Sequence, residues 1–271
     1  STAAFSNNHL VNELALNSSY TLLNAIYRRA KHEKNPSALY GKMDREEVLT
    51  RISDILSRDG QEAGAREPVP FMKTQVSPFK RARPLNVVII LEESLGAPHV
   101  GCLGGEPLTP ELCKLRDEGL WLSNLYATGT RTARGIEAIF SGFLPTSSAG
   151  VIKLEKARTG FFTLASLLKK HGYRTQFHYG GVSTFDEMRA FCLANGVDEI
   201  YDQDTFKDPE FVGTWGVSDE DLFRNANNIF ESSQDKPFFA LMLTTSNHSP
   251  FEFRDGAIEL HNQPKATREN A

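Results

Sequence analysis

The chain has 271 residues, 40% of them hydrophobic and 24% charged, with a net charge of −4. That length is enough to bury a sizeable core, and the charge gives no electrostatic reason to expect nucleic acid as a partner. No run of about eighteen apolar residues occurs, which excludes a membrane-spanning helix of ordinary length within the sequence. The three cysteines, Cys102, Cys113 and Cys192, have no CxxC spacing, which argues against a zinc ribbon and a disulfide-built scaffold. One disulfide is open to an oxidising compartment, with the pair undecided. The start without Met or signal peptide reads as a trimmed fragment.

In chain order, Leu10, Val11, Leu14, Leu22, Leu23 and Ile26 recur at three- and four-residue spacing. Val48, Ile52, Ile55 and Leu56 repeat the pattern behind Asp44, a candidate cap. From Asp59 to Pro84, Gly, Pro and charge replace periodicity, as in a connector. Residues 1–84 thus read as an N-terminal helical segment and linker. The texture then changes. Asn86–Leu91, N-V-V-I-I-L, is a continuous apolar run, the mark of a strand buried in a parallel sheet. A helix is predicted over Thr109–Gly119, with Pro110 in its first turn and Gly119 at its stop. A strand follows at Trp121–Tyr126 and a helix at Ile136–Ser141. Thr163–His171 reads as a helix closed by Gly172, and Tyr173–Tyr179 as a strand leading into Gly180 and Gly181. A helix over Ser218–Ser232 and a buried strand over Phe238–Thr244 complete the series. Strand and helix alternate, so residues 85–271 are predicted to form an α/β domain with a mainly parallel central sheet flanked by helices.

In such sheets ligands bind beyond the carboxyl ends of the strands. Three polar segments fall there: Glu92-Glu93-Ser94, Gly129-Thr-Arg-Thr-Ala-Arg-Gly135 and Ser246-Asn-His248. A carboxylate ending an apolar strand needs a partner, and a divalent cation is one; an acid stabilised by a helix N-terminus is the other reading. Arg131 and Arg134 suit phosphate oxygens, and a threonine hydroxyl beside them becomes a nucleophile once its pKa is lowered; a polar turn has the same composition. His248 could protonate a leaving oxygen or serve as a hydrogen-bonded structural histidine, and His178, at another strand end, poses the same alternative.

Taken together, the segments N-V-V-I-I-L-E-E-S (Asn86–Ser94), L-T-P-E-L-C-K-L-R-D-E-G-L-W-L-S-N-L-Y-A (Leu108–Ala127), G-T-R-T-A-R-G (Gly129–Gly135), T-L-A-S-L-L-K-K-H-G-Y-R-T (Thr163–Thr175) and T-S-N-H-S-P-F (Thr245–Phe251) resemble, in collinear order, the sulfatase-like domain of the lipoteichoic acid synthase and phosphoglycerol transferase family, of the alkaline phosphatase superfamily. Asn7–Ser18 looks like the segment that follows the membrane helices in this family. The resemblance implies that Glu93 binds metal and that Thr132 is the nucleophile and also touches the metal. It implies that His248 contacts the transferred phosphoglycerol group, with His178 as a second such histidine. Asp186 would lie near the headgroup pocket, where the tryptophan and arginine of Gram-positive members have no evident match and Phe185 stands close by.

The family completes its metal site with a downstream Asp-His pair, and no Asp-His dipeptide occurs in this sequence. This chain alone is therefore expected to bind metal poorly and to be inactive, with the intact protein holding one divalent cation, Mn2+ ahead of Zn2+ or Mg2+. The implied enzyme moves a headgroup from a phospholipid such as phosphatidylglycerol, through a phospho-threonine, to a hydroxyl of a glycan or polymer. It would work outside the cytoplasm, in the periplasm or on the outer membrane face, held by a membrane segment absent from this chain. Three alternatives stand beside this reading. A phosphoethanolamine transferase shares the threonine. A sulfatase needs Cys or Ser with a following proline, where this chain has Thr132-Ala-Arg-Gly135. A non-catalytic domain binding headgroups or glycans would account for the absent Asp-His pair.

Overall fold

The computed structural model describes residues 41–58, 81–144, 146, 150–153, 159–232 and 236–257, together with residue 23. The chain divides into two compact units, Ser1–Pro84 and Leu85–Ala271. In the first, helix α1 (Arg45–Arg58) begins behind Asp44, whose Oδ1 accepts from the Glu46 N–H at 2.9 Å. The cap and the pattern of Val48 and Ile52 account for this helix. Apart from Leu23, the apolar repeat over residues 10–26 lies outside the described residues, as do the Asn7–Ser18 segment and the connector before residue 81.

The second unit is a parallel sheet between helices. Its strands are β1 (Val87–Leu91), β2 (Arg174–Tyr179), β3 (Glu199–Tyr201) and, last in the chain, β6 (Phe238–Leu243). They lie in the order β1-β6-β2-β3, all neighbours parallel. Leu241 of the wholly buried β6 aligns with Ile89 on one side and Phe177 on the other. A two-stranded antiparallel hairpin, β4 (Val212–Gly213) with β5 (Gly216–Val217), stands apart from this sheet. The helices are α2 (Pro110–Glu118), α3 (Thr132–Ser141), α4 (Leu164–Lys170), α5 (Met188–Ala194) and α6 (Asp219–Ser232).

Alternation along each strand sorts the side chains into two layers. Val87, Ile89, Leu91, Phe177, Phe239, Leu241 and Leu243 face α3, α4 and α5, packing with Ile136, Phe140, Ala165, Met188 and Phe191. Met242 faces the opposite way, against Leu222, Ala226 and Phe230 of α6. Helix starts follow local chemistry. Thr163 and Ser166 form a reciprocal capping box at α4, and Ser218 accepts from the Asp221 N–H at α6. Helix α3 ends at Gly142, whose φ of 72° needs a residue without Cβ. Among the described residues no helix is long and apolar enough to cross a membrane. Cys102 and Cys113 form a disulfide, while Cys192 is a buried free thiol whose pKa burial pushes up to about 12.

Two predicted elements differ. Trp121–Tyr126 is not a strand: no described strand lies beside it, so its backbone forms no ladder, and Leu122, Leu125 and Tyr126 are exposed. Helix α3 begins at Thr132, four residues before the predicted Ile136, so the Thr-Ala-Arg-Gly segment is its first turn.

Candidate active site

The carboxyl ends of β1, β2 and β6 open into a cleft of about 370 Å³, lined by Glu93, Ser94, Thr130, Arg131, Thr132, Lys153, Tyr179, Phe185, Asp186, Trp215, Thr244, Thr245 and His248. At its centre the Thr132 hydroxyl donates to Glu93 Oε2 at 2.8 Å. The two residues are brought together by separate devices. Glu93 lies just beyond β1, where its N–H donates to Thr244 Oγ1 at 2.8 Å and Asn247 Nδ2 donates to its carbonyl at 3.4 Å. Thr132 is the first residue of α3, anchored by buried Ala133 and Ile136. Its hydroxyl therefore sits at the positive end of a ten-residue helix, where backbone N–H groups favour an anion. Glu92 is absent from the cleft lining and meets Thr244 from another side, Thr244 Oγ1 donating to its Oε2 at 3.3 Å. Partial desolvation, then the neighbouring Asp219 charge, raise the Glu92 carboxyl above its ordinary range.

His248 follows β6. Its Nδ1 lies 2.8 Å from the Ser249 carbonyl, which also accepts from Trp215 Nε1 at 2.9 Å. A carbonyl can only accept, so Nδ1 carries its proton there and any proton exchange falls to Nε2. The His248 and Trp215 rings are 4.0 Å apart, and Phe185 meets Trp215 edge-on at 5.9 Å. Trp215 reaches the cleft because the β4–β5 hairpin lies almost against Gly180 and Gly181: a Cβ on Gly181 would stand 2.5 Å from the Trp215 carbonyl oxygen. Asp186 pairs with Lys153 at 2.7 Å.

Of the residues singled out in the sequence, Glu93, Thr132, Arg131, His248 and Asp186 line this cleft; besides Glu92, His178 and Arg134 do not. His178 is wholly buried on the α6 side of the sheet, stacked 4.9 Å from Tyr201 and edge-on to Phe230. Burial drives its pKa down to about 4, partly countered by Glu199. One residue along a strand reverses the face, so Tyr179 occupies the cleft position that His178 was expected to fill. Arg134 turns toward the buried Glu137 carboxylate, 3.0 Å away, and the Thr146 carbonyl. Trp215, Tyr179 and Lys153 were missed from sequence. The Gly180–Gly181 pair was the available hint, since paired glycines at a strand end admit a close neighbour.

Glu93 and Thr132 supply two hard oxygen donors within 2.8 Å, which fits part of a divalent-cation site. Among the described residues no group of three or more His, Cys, Asp and Glu could hold a metal by itself.

A parallel sheet sandwiched by helices thus carries a hydroxyl and a carboxylate paired at its carboxyl edge. The chain belongs to the Sulfatase family, whose sequence profile matches residues 85–269. It is similar to a solved protein in the alkaline phosphatase superfamily from Vibrio parahaemolyticus, at 46% identity and a TM-score of 0.78, over 87% of this chain and 57% of that one. Phosphoglycerol transferase I of Citrobacter koseri is 29% identical over 89% of this chain and 34% of its own length. Lipoteichoic acid synthase 2 of Bacillus subtilis is 26% identical over 66% and 28%. The chain thus spans about a third of the curated relatives it matches.

Proposed function

We propose that this chain carries the nucleophile-bearing part of a phospholipid-headgroup transferase, a phosphotransferase that moves glycerol phosphate from a donor such as phosphatidylglycerol to a hydroxyl of a glycan or polymer. The observation that carries the reading is the Thr132 hydroxyl held 2.8 Å from Glu93 at the N-terminus of α3. The relatives named as phosphoglycerol transferase and lipoteichoic acid synthase support the substrate class.

In the first step Thr132 Oγ1 attacks phosphorus, and its proton passes to Glu93 Oε2, the atom it already faces. The bond from phosphorus to the diacylglycerol oxygen breaks, and that oxygen takes a proton from His248 Nε2. Arg131 and the α3 N-terminus offset charge on the remaining phosphoryl oxygens. In the second step an acceptor hydroxyl gives its proton to His248 and takes the glycerol phosphate, and Thr132 recovers its proton from Glu93. A divalent cation held by Glu93 and Thr132, Mn2+ by the family resemblance, would lower the hydroxyl pKa and draw charge from the phosphate. The Cys102–Cys113 disulfide supports a site outside the cytoplasm, and a membrane anchor belongs to the same proposal.

The test is a covalent adduct. The intact protein, incubated with Mn2+ and phosphatidylglycerol vesicles, should gain glycerol phosphate on the peptide containing Thr132, read by mass spectrometry. Thr132→Ala should abolish the adduct. An adduct that survives this substitution overturns the assignment.

A further inference from the structure

Beside the nucleophile the cleft holds three aromatic side chains, Tyr179, Phe185 and Trp215, and the carboxylate of Asp186. Rings around a carboxylate are the chemistry that captures an ammonium ligand. Here, however, the ammonium belongs to the chain: Lys153 Nζ lies 2.7 Å from Asp186 Oδ2. Both partners are placed by the fold. Lys153 ends the single turn Val151–Lys153, which is pinned by wholly buried Ile152 and by an N–H of Ile152 that reaches Glu137 Oε1 at 3.4 Å. Asp186 and Glu187 are both held at positive φ, 52° and 63°. Two adjacent non-glycine residues in that region persist only where the surroundings over-determine them, as at ligand clamps. Behind them the Arg189 N–H donates to the Ser183 carbonyl at 2.8 Å, and Ser183 and Arg189 both bond Asp202.

We propose that Lys153 is a specificity-determining residue: by pairing with Asp186 it fills the cation position of the cleft and restricts the transferred headgroup to neutral polyols such as glycerol, excluding ethanolamine and other amines. The inference rests on the headgroup-transfer reading above. An incoming ammonium would have to displace Lys153 from Asp186 and would meet its like charge. A polyol needs no displacement. One hydroxyl can donate to a lone pair of Asp186, and another can accept one of the three ammonium protons, of which the Asp186 bond uses one. Arg131, which also lines the cleft, adds a second positive charge.

The experiment measures equilibrium binding of two headgroup probes, glycerol 1-phosphate and O-phosphoethanolamine, to the intact protein with Mn2+ present, by calorimetry or ligand-observed NMR. The wild type should prefer glycerol 1-phosphate by about tenfold or more. Lys153→Met and Lys153→Gln should weaken glycerol 1-phosphate and tighten phosphoethanolamine, reversing the order. Adding Asp186→Asn to Lys153→Met should remove the amine binding so gained. Lys153 is 42% exposed, so neither replacement threatens the core. An unchanged ratio in both Lys153 variants overturns this inference alone. Failure of glycerol 1-phosphate to bind the wild type overturns the headgroup reading, and this inference with it.

Discussion

Replacing Glu137 by Gln probes how the wall of the cleft is held. The Glu137 side chain is 3% exposed, bonds Arg134 Nη1 at 3.0 Å through Oε2, and accepts from the Ile152 N–H through Oε1. Gly150 lies so close that a Cβ there would meet Oε1 at 2.5 Å. The amide keeps the shape and one acceptor but loses the charge. At an effective dielectric of about 20, two unit charges about 3 Å apart attract by roughly 5 kcal/mol. The retained dipole and the 18% exposure of Arg134 remove more than half of that, leaving a loss of about 2 kcal/mol. In a domain of this size, that lowers Tm by about 4–8 °C. Urea and thermal unfolding measure both quantities, and a cycle with Arg134→Met isolates the pair, since that variant should make Glu137→Gln nearly neutral. Because Glu137 also positions the turn bearing Lys153, Glu137→Gln should erode the preference for glycerol 1-phosphate. Stability within 0.5 kcal/mol of wild type, about the size of an ordinary surface substitution, would refute the reasoning.

Two further outcomes follow from buried chemistry. His178 has a folded pKa of about 4 against an ordinary 6.5, so between these values the unfolded chain binds a proton that the fold excludes. Stability should therefore be full above pH 6.5 and decline as pH falls toward 4, by at most about 3 kcal/mol; urea titrations across that range should show the slope flattened in His178→Phe. The Cys102–Cys113 disulfide closes a loop of 11 residues, so the chain-entropy argument gives it about 2–3 kcal/mol. Unfolding with and without reductant measures it, and a Cys102→Ser/Cys113→Ser variant should match the reduced protein.

The sheet was legible where burial is two-sided. The strand at Phe238–Thr244 announces itself as an unbroken apolar run, because a parallel strand between helix layers has no polar face to display. Asn86–Leu91 carries the same run, but its Val88 and Ile90 face is exposed, so two-sided burial was not realised there. Trp121–Tyr126 has similar local character but no partner among the described residues, and strand propensity expresses itself only through neighbours. The start of α3 was hidden because its N-cap is Arg131, which makes no side-chain capping bond, and because Gly129 and Gly135 mimic a loop. Glu93, Thr132, Arg131, Asp186 and His248 could be gathered from strand ends and family resemblance together. His178 was a register slip of one residue, the smallest error that reverses a side chain. Trp215 could not be read at all: it stands at the turn of a hairpin of two-residue strands, too short for any period, and enters the cleft only through tertiary contact with Gly180 and Gly181.

Among the described residues strand β1 stands at one border of the sheet, and its Val88 and Ile90 are 41% and 47% exposed. Its far side offers a row of backbone donors and acceptors flanked by apolar side chains, a template onto which any extended peptide can be laid. Left uncovered, that border invites a second molecule to dock edge to edge, so the material should become stickier with concentration. Whatever segment shields it in the cell does the work of a solubility tag as well as of a neighbour in the ladder.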